Sequence, residues 1–178
     1  NNIVASVMEA EPELNDECII SYADILYDES VIAQIKEAQG DIIIAVKENW
    51  QERYQKKSPQ DMDGAEKVIF QDGTVKHIGR NLSRDANGEF IGVAKFSKEA
   101  IETFKKTFKQ KDQNEKFHDA PALRVAYLSD MIQDLIDQGM TAKAIPLKGN
   151  WAEIDTLDDL KAAGGNITSE KITPEQRR

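Results

Sequence analysis

Three stretches of the chain put oxygen ligands or aromatic faces where chemistry could use them. The first is Asp24, which ends the apolar run Cys18-Ile19-Ile20-Ser21-Tyr22-Ala23. A carboxylate at the end of a buried strand is costly unless it is paired, hydrogen-bonded or metal-bound. The alternative is a turn or capping aspartate, although Asp28 is available for that job. The second is Trp151-Ala152-Glu153-Ile154-Asp155-Thr156. In extended backbone, alternation puts Glu153 and Asp155 on one face, and adjacent carboxylates repel, which favours a cation between or near them. Hard oxygen donors suit Mg2+, which keeps waters and takes one or two carboxylates plus a substrate phosphate. The alternative is that Asp155 or Thr156 caps a helix starting near Leu157, since Thr156 and Asp159 have capping-box spacing. That explains the threonine but not Glu153. The third is the set Trp50, Tyr54 and Tyr127, whose rings could hold a quaternary ammonium by cation–π attraction or pack in the core.

The elements that must position these residues follow from periodicity. A helix end over Asn1–Ala10 is broken by Pro12 and Asn15-Asp16. Cys18 to Ala23 reads as a central parallel strand, apolar on both faces. Asp28 caps a helix over Glu29–Gln39 that Gly40 stops, and Ile42-Ile43-Ile44-Ala45-Val46 is a second buried strand. Strand, helix and strand make a βαβ unit. Gln51–Gly64 reads as a polar loop. Lys67–Gln71 and Val75–Ile78 form a hairpin through Asp72-Gly73, with a third strand, Glu89–Phe96, near them. Ser97 caps a helix over Lys98–Lys109, and Pro121 opens a long helix over Ala122–Gln138. A strand over Ala142–Leu147 and a short helix over Leu157–Ala163 complete the pattern. The fold class is α/β with a mixed sheet, one domain over 1–165 and a tail or linker over 166–178. Ligands in such folds bind past the C-terminal ends of the strands, where both Asp24 and Trp50 fall.

Composition excludes several classes. The formal net charge of −9 argues against a nucleic-acid binder, which needs a basic face. An acidic protein can still hold a phosphorylated ligand through a metal ion. A single cysteine, Cys18, allows no intrachain disulfide and reads as a buried thiol. No apolar stretch approaches the ~18 residues of a membrane span, so a cytoplasmic protein is expected. His77 and His118 have no cysteine near them and make no zinc pattern.

Taken in chain order, the segments Asn1-Asn2-Ile3, Ile20 to Ile25, Val46 to Trp50, Ala65 to Val68, Gly88 to Gly92 and Trp151 to Thr156 with Asp158-Asp159-Leu160 resemble the nucleotidyltransferase (NTP-transferase) family. The nearest branch is the phosphocholine and 2-aminoethylphosphonate cytidylyltransferases. The resemblance implies a Rossmann-like mixed sheet of the nucleotide-diphospho-sugar transferase (GT-A-like) type. It implies Mg2+ held by Asp24 and Asp155, both of them catalytic, and an acceptor site formed by Trp50, Tyr127, Glu89, Gly92 and Glu153. The substrates implied are a nucleoside triphosphate, CTP favoured, and a small phosphorylated or phosphonate acceptor. The family also has a first strand with a Gly-rich, phosphate-cradling loop, and this sequence contains no such segment. The N-terminal strands are therefore expected to lie outside it, with a partner chain or oligomer able to cover the gap. Two alternatives stand beside this reading: a sugar-1-phosphate nucleotidyltransferase, and a non-catalytic fragment or interaction module.

Overall fold

The computed structural model describes residues 2–55, 57–148, 150–154 and 156–166. In chain order the helices and strands are α1 (Ile3–Glu9), β1 (Cys18–Ser21), β2 (Ile25–Tyr27), α2 (Glu29–Glu37), β3 (Ile42–Lys47), α3 (Pro59–Gly64), β4 (Lys67–Gln71), β5 (Thr74–Gly79), β6 (Gly88–Phe96), α4 (Lys98–Gln110), α5 (Leu128–Asp137), β7 (Ala142–Pro146), β8 (Trp151–Glu153) and α6 (Leu157–Asn166). Short 3-10 turns stand at Glu11–Glu13, Trp50–Tyr54 and Leu123–Val125.

The main sheet has six strands in the order β1-β6-β3-β7-β5-β4, with β6 also pairing β4. Every residue of β6 is buried, which suits a strand covered on both faces. It runs antiparallel to both β1 and β3, so those two point the same way without touching. The expected βαβ unit is thus split by an antiparallel strand, and β1 lies at the sheet edge instead of at its centre. Only β3 and β7 pair in parallel. The Asp72-Gly73 turn forms as expected, both residues taking positive φ (50° and 74°).

Along β3 the side chains alternate between two cores. Ile42, Ile44 and Val46 pack with α1, α4 and α5, through Val4, Phe104, Met131 and Leu135. Ile43 and Ala45 pack with Val31 and Ile35 of α2. The result is a helix–sheet–helix sandwich. Phe96 and Phe104 meet edge to face at 5.9 Å. Ser97 caps α4 by accepting from the Ala100 N–H at 3.1 Å.

Three local expectations are corrected. Asp28 makes no capping bond; its Oδ2 instead accepts from Asn150 N at 2.7 Å, tying α2 to the β8 segment. The long helix over Ala122–Gln138 is interrupted. Ala126 is extended, and α5 starts only after Tyr127, whose N–H donates to Asp130 at 2.8 Å. The described residues of the polar stretch 51–64 include two helical elements, the 3-10 turn and α3: α3 is nucleated by a capping box in which Ser58 Oγ accepts from Asp61 N and Asp61 accepts from Ser58 N, with Pro59 at the first helical position. Among the described residues, no helix is long and apolar enough to cross a membrane.

Candidate functional site

Because β6 runs against β1 and β3, its N-terminal end meets their C-terminal ends at one edge of the sheet. A cavity of about 510 Å3 opens there, and Asp24, Glu89, Gly92, Tyr127 and Glu153 all line it. The resemblance groups these residues, and the fold brings them to the lining of one cavity. Asp155, expected as the second metal ligand, lies outside the described residues.

Asp24 sits in the turn between β1 and β2 and is exposed. A small antiparallel ribbon brings the far end of the chain to it: β2 pairs with β8, Ile25 facing Glu153, and Ile154 N donates to Asp24 O at 2.8 Å. Among the described residues the Asp24 carboxylate has no hydrogen-bonding or ion-pair partner, unlike the other carboxylates described below. An unpaired carboxylate at a cavity rim fits a cation such as Mg2+, which needs only one or two protein carboxylates. No group of three or more His, Cys, Asp or Glu residues among those described forms a metal cage. Thr156 and Asp159 make the expected capping box, with mutual bonds of 2.8–3.1 Å.

Through Glu153 the ribbon also meets a charge cluster around Arg53, on the 3-10 turn that follows β3. Arg53 Nη2 donates to Glu153 Oε2 at 2.6 Å, and Nη1 lies 3.5 Å from the Glu89 carboxylate. The guanidinium carbon stands 4.4 Å from the Trp151 ring centroid and 4.9 Å from that of Tyr54. Tyr54 Oη donates a short hydrogen bond to Glu89 Oε1. Burial pushes the Glu89 carboxyl up to about 7, with Arg53 and the Tyr54 hydroxyl opposing the rise and Glu153 and Glu66 adding to it. Burial and the adjacent Glu89 raise the Tyr54 hydroxyl well above its ordinary value.

The cavity floor is built around Gly92 and Glu66. Between Ile44 and Val46 the β3–β6 register jumps from Ala94 to Phe90, a bulge that bends β6 at the site. Gly92, inside it, has φ +81°, and a Cβ there would come within 2.5 Å of the Tyr22 ring. Tyr22 donates through its hydroxyl to Glu66 at 2.7 Å, while Ser129 N donates to the same carboxylate at 3.2 Å. Burial raises the Glu66 carboxyl, and the two donors pull against that rise. Tyr127, at the start of α5, presents a ring over which the Arg80 guanidinium lies at 4.2 Å.

Trp50 does not line this cavity, although it borders the neighbouring one of about 450 Å3. It is 1% exposed, packs on Tyr54 and Ala65, and donates through Nε1 to Ala86 O at 2.8 Å. The indole that lines the cavity is Trp151. Sequence reasoning passed over Arg53, Trp151, Tyr22 and Glu66 as site residues. The Ser58-Pro59-x-Asp61 capping pattern marks only the start of the helix that follows it, so the sequence carried no local signal for Arg53. Neither histidine lines the cavity; His118 is bound to Asp134 at 3.0 Å.

No family model matches the chain. Over 151 residues it is 27% identical to the CTP:phosphoglutamine cytidylyltransferase of Campylobacter jejuni, covering 84% of this chain and 59% of that protein. The chain therefore spans about three fifths of the length of that curated relative. Among solved structures it resembles the inositol-1-phosphate CTP transferase from T. maritima (TM-score 0.67, 21% identity, 93% of this chain and 60% of that one). It also resembles a Bacillus anthracis protein provisionally assigned as a glucose-1-phosphate thymidylyltransferase and solved with sucrose (TM-score 0.72, 10% identity, 99% and 65%). The chain is thus similar in sequence to a cytidylyltransferase and shares the nucleotide-diphospho-sugar transferase fold of the solved nucleotidyltransferases.

Proposed function

We propose that the chain forms the acceptor- and metal-binding part of an enzyme that transfers a nucleotidyl group, cytidylyl favoured, from a nucleoside triphosphate to a small phosphorylated or phosphonate acceptor, releasing pyrophosphate. The observation that carries this reading is Asp24: an unpaired carboxylate on the rim of the sheet-edge cavity, tied by the β2–β8 ribbon to the Glu153-Ile154 segment. Kinship with a protein named as a CTP-dependent cytidylyltransferase supports the choice of nucleotide.

Transfer at phosphorus rests on positioning and charge neutralisation more than on covalent help from the protein. Asp24, with Asp155 as the sequence implies, would hold Mg2+, which when bound neutralises charge on the reacting oxygens. The chain's own residues do the positioning. Gly92 lets the Tyr22 ring close in, Tyr22 and Ser129 fix Glu66, and the Arg53–Glu89–Glu153 cluster fixes the wall next to the β2–β8 ribbon. The acceptor oxygen is already anionic, so no general base is needed, in keeping with a cavity that no histidine lines.

The test is pyrophosphate release by the natural full-length protein with CTP, Mg2+ and a panel of acceptors: phosphocholine, 2-aminoethylphosphonate, a phosphorylated amino acid and a hexose 1-phosphate. Release that requires both CTP and one acceptor class is expected. A sugar phosphate as sole acceptor would move the assignment to the sugar branch, and no release with any nucleotide and acceptor would contradict it.

A further inference from the structure

The wall of the cavity contains what physical chemistry recognises as a cation box: two aromatic faces, Trp151 and Tyr54, beside two carboxylates, Glu89 and Glu153. A quaternary ammonium is held by such an arrangement. Here the box already has an occupant. The Arg53 guanidinium lies 4.4 Å and 4.9 Å from the two ring centroids, with Glu153 at 2.6 Å and Glu89 at 3.5 Å. Arg53 also lines a second cavity, of about 450 Å3, whose wall shares Lys57, Trp151 and Glu153 with the first. A guanidinium has five N–H donors. The bonds Arg53 makes use Nη1 and Nη2 towards two carboxylates, and its side chain remains 19% exposed. Donors are therefore left over on a group that borders open space on both sides.

We infer that Arg53 is a specificity-determining residue: it fills the aromatic–carboxylate box with a built-in cation, so that the site rejects an acceptor with a quaternary ammonium head and takes one that carries a second anionic group, such as a carboxylate, beside its phosphate. Displacing the guanidinium would leave it without its two carboxylate partners, whereas a ligand carboxylate can use its free donors in the planar, two-pronged geometry that arginine offers. The inference rests on the cavity being the acceptor site of the proposed transferase. It concerns binding alone, so it can fail or hold independently of turnover.

The experiment is equilibrium titration of the full chain, without nucleotide, with 2-phosphoglycolate and with phosphocholine, which share a phosphate and differ in the sign of the second group. The wild-type protein is expected to bind phosphoglycolate at least tenfold more tightly. Arg53→Met is expected to lose that preference and to gain affinity for phosphocholine severalfold. Arg53→Lys, which keeps the charge without the planar fork, should still reject phosphocholine while binding phosphoglycolate more weakly than wild type. It also serves as the test if the methionine variant does not fold. Equal affinities in the wild type, a wild-type preference for phosphocholine, or an unchanged preference in Arg53→Met would overturn the inference, as would failure to bind either probe. Absence of pyrophosphate release alongside the expected binding pattern would count against the transferase reading and leave the role of Arg53 standing.

Discussion

Glu89 makes stability depend on pH in the direction opposite to that of a typical paired carboxylate. Its carboxyl is pushed from the ordinary 4.5 up to about 7 because burial outweighs Arg53 and Tyr54. Between those values the folded protein binds more protons than the unfolded chain, so stability falls as pH rises. The contribution is full below pH 4.5 and has been lost once pH passes 7. A shift of this size is about 3 kcal/mol in all at 1.36 kcal/mol per pH unit, and roughly 2.5 kcal/mol of it falls between pH 5 and pH 8. Glu66 and Asp130 are also raised by burial and act in the same direction, so the comparison must be made with a variant. Glu89→Gln removes the titration while keeping an acceptor for Tyr54. Denaturant unfolding at pH 5 and pH 8 should show the wild type losing about 2.5 kcal/mol more than the variant across that interval. Identical losses in the two proteins would mean that Glu89 titrates normally and that Arg53 compensates its charge fully.

Other substitutions test other parts of the account. Gly92→Ala combines a positive φ with a contact into the Tyr22 ring and should cost roughly 1–3 kcal/mol in thermal or denaturant unfolding; a neutral result would remove the bulge from the account. Ser58→Ala should cost about 1 kcal/mol through loss of the α3 cap, measured the same way, with amide exchange accelerated in residues 59–64. Trp50→Ala, which empties a buried site, should cost about 3–5 kcal/mol, while Trp50→Phe should leave the acceptor KM within about twofold; a large rise in KM would restore Trp50 to the acceptor site.

Part of this site could be read in the sequence because Asp24 sits at a strand end. Asp24 closes an apolar run, so its place at the sheet edge follows from the alternation of elements, whereas Glu89 and Gly92 were reached only through the family resemblance. The β2–β8 ribbon was harder: strands of three residues leave almost no periodic signal, and their pairing depends on contacts between distant parts of the chain. The place of β6 was missed for a related reason. Its residues show that it is buried, but nothing local shows that it runs antiparallel between β1 and β3. An indole just past a strand end looks the same in sequence whether it faces a ligand or the core, and the burial of Trp50 and its hydrogen bond to Ala86 O are tertiary facts. Arg53 went unnoticed because a polar stretch with one proline resembles a loop, although Ser58, Pro59 and Asp61 carried the signature of a helix start.

The most direct measurement is the rate of CTP-dependent pyrophosphate release by the natural full-length protein, wild type against Asp24→Asn, in Mg2+ with a saturating acceptor. Asp24 is exposed and its carboxylate has no partner among the described residues, so the substitution should leave unfolding unchanged. The rate should fall roughly a hundredfold or more, the size of effect seen when one charge-stabilising group is removed from a transfer site. A variant that folds normally and turns over at the wild-type rate would contradict the assignment of Asp24 and, with it, of the cavity as the reaction centre.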